Sequence, residues 1–518
     1  MFVELIFYSL LAVATSLGSL YIYLTWNFKY WQKSSLRIAK PLTFLGTYPS
    51  IMTRKRNMVY DIHDVYLNYK SNNRAVGVFV TRKPEILILD PNLAHEILVK
   101  NFRLYRDTLT SSWINNHQAD KYATRNPFWC VGDNWKNLRT DAMGGITQSK
   151  LKQSYTIWQS SCKKLLKVME DKVGNSGTNI IETRDLCFRF TADVMCNYIW
   201  GIDVGTLTNP TEVSHVVGMT DKWIMYTYKT RVYSLMATVT PVVRVIWPFT
   251  LFPKETDDFF SKLTRDAVQI RQQQPANTER PDFLNYMLQL QERKGISHDD
   301  MVGHSLTMLL DGYETVAIAL MHTLYYLAKY PKVQQKLRDE LMTNMYNTKV
   351  GFSYEELMNL PYLDQCVHET LRLVTLLPNI PRICTEDTTL QLSPEQSVDI
   401  PKGMVVTVPV YSLHHDKDYF PQPNEYVPER FDNGAHLELT KRGIYLPFSD
   451  GPRICIGARL ALMTAKIALA EIILQYEINS CALTQEDQST NVKSFILCLD
   501  GDIMLEYKSL TKYQGFLK

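Results

Sequence analysis

Residues 448–457 read Phe-Ser-Asp-Gly-Pro-Arg-Ile-Cys-Ile-Gly, and a helix-forming run follows directly. The stretch places one cysteine, Cys455, between Gly451 and Gly457, with Arg453 two residues before it. A cysteine at the start of a helix faces backbone N–H groups and the positive end of the helix dipole, which favour an ionised sulfur and metal ligation. Flanking glycines remove Cβ atoms that would keep a flat cofactor away from the backbone. The stretch therefore predicts a metal-ligating thiolate; a buried structural cysteine in a Gly-Pro turn is the alternative.

The spacing Phe-x-x-Gly-x-Arg-x-Cys-x-Gly in this stretch resembles the cysteine-ligand loop of the cytochrome P-450 family. The resemblance implies a haem b cofactor whose iron takes Cys455 as its axial ligand, with the thiolate feeding electron density to the iron to favour O–O cleavage. It also implies that Phe448, Gly451, Arg453 and Gly457 border the cofactor. The fold it implies is the cytochrome P-450 fold, which is mainly α-helical with small β-sheets.

The composition describes a globular chain with a large core. Its 518 residues are 45% hydrophobic and 21% charged, so the chain is neither disordered nor fibrous. A formal net charge of +3 gives no indication of nucleic-acid binding. Nine cysteines are scattered without a Cys-x-x-Cys pair, which indicates neither a disulfide framework nor a cysteine zinc site and suits a reducing compartment.

The N-terminus contains an apolar run over residues 5–26 that carries no charged side chain. At about 1.5 Å per residue it would span roughly 33 Å as a helix, enough to cross a bilayer. Only Glu4 precedes it, whereas four basic residues follow it closely: Lys29, Lys33, Arg37 and Lys40. This asymmetry places the following chain in the cytoplasm. We expect an uncleaved anchor; a cleaved signal peptide is the main alternative.

These observations divide the chain into three parts. We expect a membrane anchor over residues 1–27, a linker or hinge over 28–50 and a catalytic domain over 51–518. The segment after the anchor resembles the hinge of microsomal family members, so the resemblance implies an endoplasmic reticulum membrane protein with its catalytic domain on the cytoplasmic face. Within that domain the β-rich alternation over 76–89 predicts a hairpin.

Three further basic or aromatic side chains are candidates for cofactor binding. Trp135 and Arg139 stand at i and i+4, which places them on one helix face. In isolation such a pair is commonplace. In the family this helix contacts the haem propionates, so Arg139 is expected to pair with a carboxylate and Trp135 to donate its N–H. The resemblance implies that Arg382 also reaches a haem propionate.

A long helix is predicted over residues 297–330, with Ser297 as its N-cap and Pro331 at its end. Gly312 stands near its middle, where glycine costs about 1 kcal/mol against alanine. The family offers a reason, because its helix bulges at this point to form an oxygen-binding groove above the iron. A solvated kink is the alternative interpretation.

The resemblance assigns proton delivery to Glu314 and Thr315 in this helix. Two residues depart from the family pattern: Asp311 stands where alanine or glycine is usual, and Val316 where a second threonine or serine is common. Asp311 would either add charge near the oxygen site or face away from it.

A structural cluster is expected from Glu369, Arg372 and Arg430. Glu369 and Arg372 lie at i and i+3 on a helix face, and in the family the second arginine completes a buried ion cluster behind the haem. Thr375 replaces the usual proline that follows. His414-His415-Asp416 invites a metal interpretation, but adjacent histidines on an extended chain point to opposite sides, so we do not expect a metal there.

The leading hypothesis is a haem-thiolate monooxygenase that inserts one oxygen atom of O₂ into a lipophilic xenobiotic, hormone or fatty acid. The resemblance implies NADPH-cytochrome P-450 reductase as electron donor, with cytochrome b5 as a second partner. The Asp-Gly-Tyr-Glu-Thr motif and residues 327–334 look similar to xenobiotic-metabolising microsomal members from insects. The aromatic region over 205–255 is either core or the family's substrate lid.

Two alternative functions remain at this point. An isomerase or dehydratase acting on a peroxide would not need Glu314 and Thr315, and a haem-bearing carrier or sensor would tolerate the departures from the family pattern. A basic patch near the cysteine loop is expected to steer an acidic flavoprotein; ordinary solvated side chains are the alternative. Its members are Lys441, Arg442, Arg453, Arg459 and Lys466.

Overall fold

The structure is a computed structural model that describes most of the chain. The described residues are 2–113, 120–208, 215–220, 252–275, 280–345, 351–486, 490–492, 496–510 and the isolated positions 233, 236, 240, 242, 243, 247, 250 and 494. Most of the aromatic region over 205–255 lies outside them, including Trp223, Tyr226, Tyr228 and Phe249. The prediction of a substrate lid therefore stays a prediction.

The described residues form mainly α-helices. These are α1 (Phe2–Thr25), α2 (Ser50–Thr53), α3 (Met58–Tyr69), α4 (Pro91–His95), α5 (Gly132–Gly144), α6 (Gln148–Val173), α7 (Thr183–Trp200), α8 (His215–Thr220), α9 (Lys254–Gln272), α10 (Phe283–Lys294), α11 (His298–Lys329), α12 (Pro331–Met345), α13 (Tyr354–Met358), α14 (Pro361–Val374), α15 (Val410–His414), α16 (Ala435–Lys441) and α17 (Ala458–Gln475). With three small sheets beside them, they confirm the predicted fold class.

The strands assemble into sheets of six, three and two strands. They are β1 (Arg37–Ile38), β2 (Ala75–Val80), β3 (Lys83–Ile88), β4 (Asp107–Thr108), β5 (Thr178–Glu182), β6 (Ile380–Ile383), β7 (Thr388–Ser393), β8 (Gln396–Ile400), β9 (Val405–Val408), β10 (Tyr476–Ser480) and β11 (Met504–Ser509). The sheet orders are β1-β2-β3-β9-β6-β4, β10-β11-β5 and β7-β8. The predicted hairpin is β2–β3, antiparallel with Ala75 opposite Ile88.

Helix α1 projects from the body of the protein. All its described side chains are exposed apart from Leu24 and Thr25, and its length and composition suffice for a membrane span. The chain after it is tied to the largest sheet: Trp31 is 1% exposed and its ring lies against Gly77, where an added Cβ would approach the ring within 2.8 Å. Strand β1 then pairs in parallel with β2. The segment predicted as a hinge is thus packed on the sheet.

Helix α11 runs through the core and positions one wall of the site. Its N-terminus is closed by a capping box, in which the Ser297 hydroxyl accepts from the Asp300 N–H and the Asp300 carboxylate accepts from the Ser297 N–H. The helix continues unbroken through the predicted bulge. Gly312 has a different reason here, because a Cβ on it would meet the Met195 methyl carbon of α7 at 2.7 Å. The glycine permits close packing of the two helices.

Candidate functional site

The cysteine loop holds its sulfur at the entrance to α17. The Cys455 N–H donates to the Phe448 carbonyl at 2.8 Å, and the N–H groups of Gly457 and Ala458 donate to the sulfur. Phe448 itself packs against the main hydrophobic core. The loop is therefore fixed at both ends, and the start of the helix points two backbone donors at the thiol, as the sequence predicted.

The Cys455 side chain is exposed, yet the protein around it desolvates the thiol. This burial raises the pKa of Cys455 to about 11, although the two backbone donors lower it; the negative charge of Asp311 raises it and the charge of Arg139 lowers it. Exposure and desolvation coexist because the sulfur faces an interior space rather than bulk water. The helix start alone does not ionise this thiol, whereas a coordinated metal cation would, since coordinating thiols are deprotonated outright.

The two glycines of the loop have different surroundings. A Cβ on Gly457 would stand 4.0 Å from the Cys455 sulfur, an ordinary contact distance, so a role of Gly457 toward the cofactor stays a prediction. Gly451 adopts a φ of +71°, and a Cβ there would lie 2.0 Å from the carbonyl oxygen of Leu98. Its glycine is required by backbone packing against that carbonyl, and a role of Gly451 toward the cofactor stays a prediction.

Three arginines surround the same interior space: Arg139 on α5, Arg382 on β6 and Arg453 in the cysteine loop. Burial, and after it the positive charges of the other two arginines, lower the pKa of Arg382 to about 9. Burial likewise lowers the pKa of Arg453 to about 10. Among the described residues, the Nε atoms of Arg382 and Arg453 are buried without a hydrogen-bond partner. Three converging guanidinium groups, two of them with an unsatisfied N–H donor, fit an anionic ligand.

Trp135 organises two of these arginines. The indole is 6% exposed, with the Arg453 guanidinium carbon 4.4 Å and the Arg139 guanidinium carbon 6.0 Å from its ring centre. Arg453 is further fixed by donating to the Pro127 carbonyl at 3.2 Å and to the Cys130 carbonyl at 2.7 Å. The cation–π contacts offset part of the cost of burying the charges. The structure thus brings together Trp135, Arg139, Arg382 and Arg453, as expected.

Helix α11 forms the opposite wall. The Thr315 hydroxyl donates to the Asp311 carbonyl at 2.6 Å, one turn back along the helix. The Asp311 side chain is exposed, but burial raises its pKa to about 7, so it too faces interior space. Because its charge acts on Cys455, the carboxylate lies on the sulfur's side of the helix. Of the two options left by the sequence, Asp311 adds charge to the site.

Glu314 and Val316 occupy other faces of α11. The Glu314 side chain is half-buried, and its charge raises the pKa of Cys498 in the C-terminal segment. Val316 is 1% exposed and belongs to the core packing. Thr315 therefore shares the face of Asp311 at helical spacing, whereas Glu314 points toward the C-terminal segment.

The predicted ion cluster stands behind the cysteine loop. The Arg372 Nε and Nη2 atoms donate to the two Glu369 carboxylate oxygens at 2.7 and 2.8 Å, and the Arg430 Nε donates to Glu369 at 3.2 Å. The side chains of Glu369 and Arg372 have no exposed surface. Arg372 also donates to the backbone carbonyls of residues 414, 423 and 425. The cluster braces the chain between α14 and the loop, as expected.

Thr375 links this brace to the cysteine loop in a way that the sequence did not reveal. It has a φ of +42°, and its hydroxyl donates to the Arg372 carbonyl at 2.7 Å. The Nδ1 of His414 lies 3.0 Å from that hydroxyl, while the Nε2 of His414 accepts from the Leu446 N–H at 2.9 Å. The three described side chains in 414–416 have separate partners, since His415 contacts Tyr411 and Asp416 pairs with Lys70. These three side chains share no metal site.

The predicted basic patch is smaller than expected. Lys441, Arg442 and Arg459 are exposed. Lys466 is 1% exposed and pairs with Asp364 at 2.7 Å, so its inclusion in the patch was wrong. Arg453 also points inward. A carboxylate that lies far away in sequence holds the lysine inside, and no local pattern reports such a pairing.

The residues fit a haem. A flat dicarboxylate cofactor would direct its propionates to the unsatisfied donors of Arg382 and Arg453, with Arg139 and Trp135 beside them. Cys455 would hold its iron, and Asp311 and Thr315 would provide a carboxyl and a hydroxyl group in the same site. Bound there, a thiolate-ligated haem supplies the capacity to activate O₂.

The sequence comparisons agree with this geometry. The family profile described as Cytochrome P450 matches residues 37–505. Probable cytochrome P450 309a2 of Drosophila melanogaster is 48% identical over 492 residues, covering 94% of this chain and 90% of the relative. Probable cytochrome P450 309a1 of the same species is 42% identical over 502 residues, with 96% and 98% covered. Cytochrome P450 6j1 of Blattella germanica is 29% identical over 504 residues, with 96% of each covered. The likeness to insect members is confirmed, and the chain belongs to the cytochrome P450 family of haem-thiolate monooxygenases.

Proposed function

We propose that this protein is a membrane-anchored monooxygenase that uses haem b and electrons from NADPH, delivered by NADPH-cytochrome P-450 reductase with cytochrome b5 as a second donor. Its substrates are lipophilic small molecules of the xenobiotic, hormone or fatty-acid classes. The observation that carries the proposal is the shared interior space: it has a lone thiol on one side, three guanidinium groups at its edge, two of them with an unsatisfied donor, and a carboxylate and a hydroxyl on the opposite helix.

The chain's own residues account for cofactor binding. Arg139, Arg382 and Arg453 provide positive charge for two propionates, and each buried N–H that gains a carboxylate oxygen recovers a desolvation cost of about 1–3 kcal/mol. Cys455 would hold the haem iron through its thiolate. The backbone donors at Gly457 and Ala458 then stabilise the sulfur's negative charge.

Proton handling falls to the α11 face. The Thr315 hydroxyl gives its hydrogen to the Asp311 carbonyl, so its oxygen presents lone pairs to an incoming donor. The Asp311 carboxyl, with a pKa of about 7, holds or releases a proton near neutral pH. Glu314 is proposed to connect this pair with the C-terminal side of the site.

The proposed location is the endoplasmic reticulum membrane, with the catalytic domain on the cytoplasmic face. Helix α1 supports anchoring, and lipophilic compounds concentrate in the bilayer beside such a domain. The exposed cations at Lys441, Arg442 and Arg459 support docking of an acidic flavoprotein.

The decisive experiment reconstitutes the full chain with reductase, cytochrome b5 and NADPH, and screens steroids, fatty acids and plant toxins for products carrying one oxygen atom from ¹⁸O₂. Cys455→Ala should abolish the red-shifted Soret band of the reduced carbon monoxide complex, and survival of that band would refute the ligand assignment. Product formation without NADPH would instead favour the isomerase alternative.

Thr315→Ala tests the proton path, with Thr315→Ser as the matched control that retains the hydroxyl. The alanine variant should release more hydrogen peroxide per NADPH consumed, whereas the serine variant should couple like the unaltered protein. Equal coupling in all three proteins would transfer the role to Asp311 or to water.

A further inference from the structure

A second cluster of potential metal ligands lies between α14, α16 and α17. Asp364 and His368 stand one turn apart on α14, and His436 is the second residue of α16. The His368 Nε2 is 3.5 Å and the His436 Nδ1 is 3.8 Å from the same Asp364 oxygen, Oδ2. One ligating atom from each of the three side chains lies within 4.8 Å of the other two. The two imidazole rings are stacked, 4.1 Å apart and 12° from parallel.

The hydrogen bonds around His368 determine which of its nitrogens carries the proton. The Tyr445 hydroxyl donates its single hydrogen to the His368 carbonyl at 2.9 Å. The His368 Nδ1, also 2.9 Å from that hydroxyl, must therefore be the donor of the second bond. In the neutral ring the Nε2 is then left with a lone pair directed at a carboxylate oxygen, so two acceptors face each other.

His436 contributes the third potential ligand atom of the cluster. Its Nδ1 is buried and has no hydrogen-bond partner among the described residues. The His368 Nε2 and the His436 Nδ1 thus converge on one carboxylate oxygen, at 3.5 and 3.8 Å.

We propose that Asp364, His368 and His436 bind a divalent transition metal, for which zinc is the best match. Neutral imidazole and carboxylate are established zinc ligands, and bond lengths of about 2.0–2.1 Å in a tetrahedral site put ligand atoms about 3.4 Å apart. The distances to Asp364 Oδ2 are close to that value. A tilt of the His436 ring brings its lone pair into line, and α16, all of whose residues are described, contains no buried residue that would resist it. Water completes the coordination.

The buried Lys466 affects the metal affinity of this site without being a ligand. Its ammonium group donates to the other oxygen of Asp364, Oδ1, at 2.7 Å and to the Met358 carbonyl at 3.1 Å, which leaves Oδ2 for the metal. Its positive charge repels a bound cation. The pKa of the nearby Glu340 carboxylate is raised chiefly by burial, and its negative charge offsets part of the Lys466 charge. We therefore expect an exchangeable zinc ion rather than one held permanently.

A metal at this position would link helices on the side of the protein that holds the cysteine loop. His368 precedes Glu369 of the buried ion cluster, and α17 begins three residues after Cys455. A metal held by α14 and α16, with α17 attached through Lys466, would stabilise this side against unfolding. The site is separate from the proposed haem reaction, and its occupancy is measurable whether or not a substrate is known.

The test uses the purified full-length, haem-loaded protein in detergent, treated with a chelator and desalted. Zinc is titrated in competition with a chromogenic chelator, and thermal loss of the haem-thiolate spectrum is followed with and without zinc. His436→Ala removes a ligand from a surface helix, and His298→Gln on α11 controls for adventitious histidine binding.

The proposal expects one zinc per chain in the unaltered protein and in His298→Gln, at least tenfold weaker binding in His436→Ala, and a zinc-dependent rise in thermal midpoint that His436→Ala loses. Lys466→Met should bind more tightly than the unaltered protein. Failure of the unaltered protein to bind zinc, or equal binding by His436→Ala, would overturn it.

Discussion

Replacing Glu369 with glutamine tests whether the buried ion cluster supports the cysteine loop. The substitution keeps the side-chain volume but removes the charge and turns one acceptor oxygen into an NH₂ group. That group would face an N–H of Arg372, because both carboxylate oxygens receive hydrogen bonds from this guanidinium, at 2.7 and 2.8 Å. The remaining amide oxygen would stand in for Oε1, which also accepts from the Val427 N–H at 2.9 Å and from the Arg430 Nε at 3.2 Å, so the NH₂ group replaces Oε2.

The size of the effect follows from what remains around Arg372. Its side chain is 0% exposed, so its charge stays buried with only backbone carbonyls to stabilise it. Breaking a buried pair by removing one partner costs about 3–5 kcal/mol. We expect Glu369→Gln to lower the free energy of unfolding by about that amount, and to convert much of the protein to a form without the red-shifted carbon monoxide band.

The assay is urea unfolding of the detergent-solubilised protein, followed by tryptophan fluorescence and by the Soret band. Glu425→Gln is the control: it alters an exposed neighbour that accepts from the Tyr330 hydroxyl at 3.0 Å, and its cost should stay below about 1 kcal/mol. A cost of less than about 1 kcal/mol for Glu369→Gln as well would mean that the cluster is not a brace, because a broken buried pair should cost several times more.

Two other substitutions are expected to change the stability of the protein in opposite directions. Thr375→Pro restores the residue usual in the family but should destabilise the protein by about 3 kcal/mol or more. The reasons are that φ at Thr375 is +42° and that the N–H, which proline lacks, donates to the Leu371 carbonyl. Thr375→Ser should retain the red-shifted carbon monoxide band, and a proline variant more stable than the unaltered protein would contradict the observed conformation. Glu85→Gln should stabilise above pH 7: burial raises the pKa of Glu85 from 4.5 to about 7, so its contribution is fully present below pH 4.5 and is lost as pH rises to 7. The lost stability is about 3 kcal/mol, at about 1.36 kcal/mol per pKa unit. The test compares the urea midpoint at about pH 5 with that at about pH 8, and an equal difference in the unaltered protein and in Glu85→Gln would refute the prediction.

The sequence was informative wherever a signal is local. The cysteine loop, the N-cap at Ser297 and the β2–β3 hairpin follow from spacing and alternation, and all three are present. The Glu369–Arg372 pair is local as well, because i and i+3 positions share a helix face. Arg430 required the family resemblance.

The sequence was uninformative where the reason for a residue lies in a distant contact. Gly312 is required by Met195 of another helix and Gly451 by the carbonyl of Leu98, so neither glycine could be explained from its neighbours in sequence. Lys466 was expected at the surface because lysines are rarely buried unless paired, and its partner Asp364 stands on another helix. The ligand cluster containing His436 was missed for the same reason.

Thr375 changes how the departures from the family pattern are weighed. Together with Asp311 and Val316 it kept alive the idea of a haem carrier that has lost turnover. In the structure its hydroxyl connects the Arg372 carbonyl with His414, and His414 in turn receives the Leu446 N–H. Leu446 precedes by two residues the carbonyl that accepts the Cys455 N–H. The Thr375 hydroxyl thus connects the buried ion cluster with the cysteine loop, so this departure from the family pattern has a structural role, and Asp311 remains the departure that lies in the site.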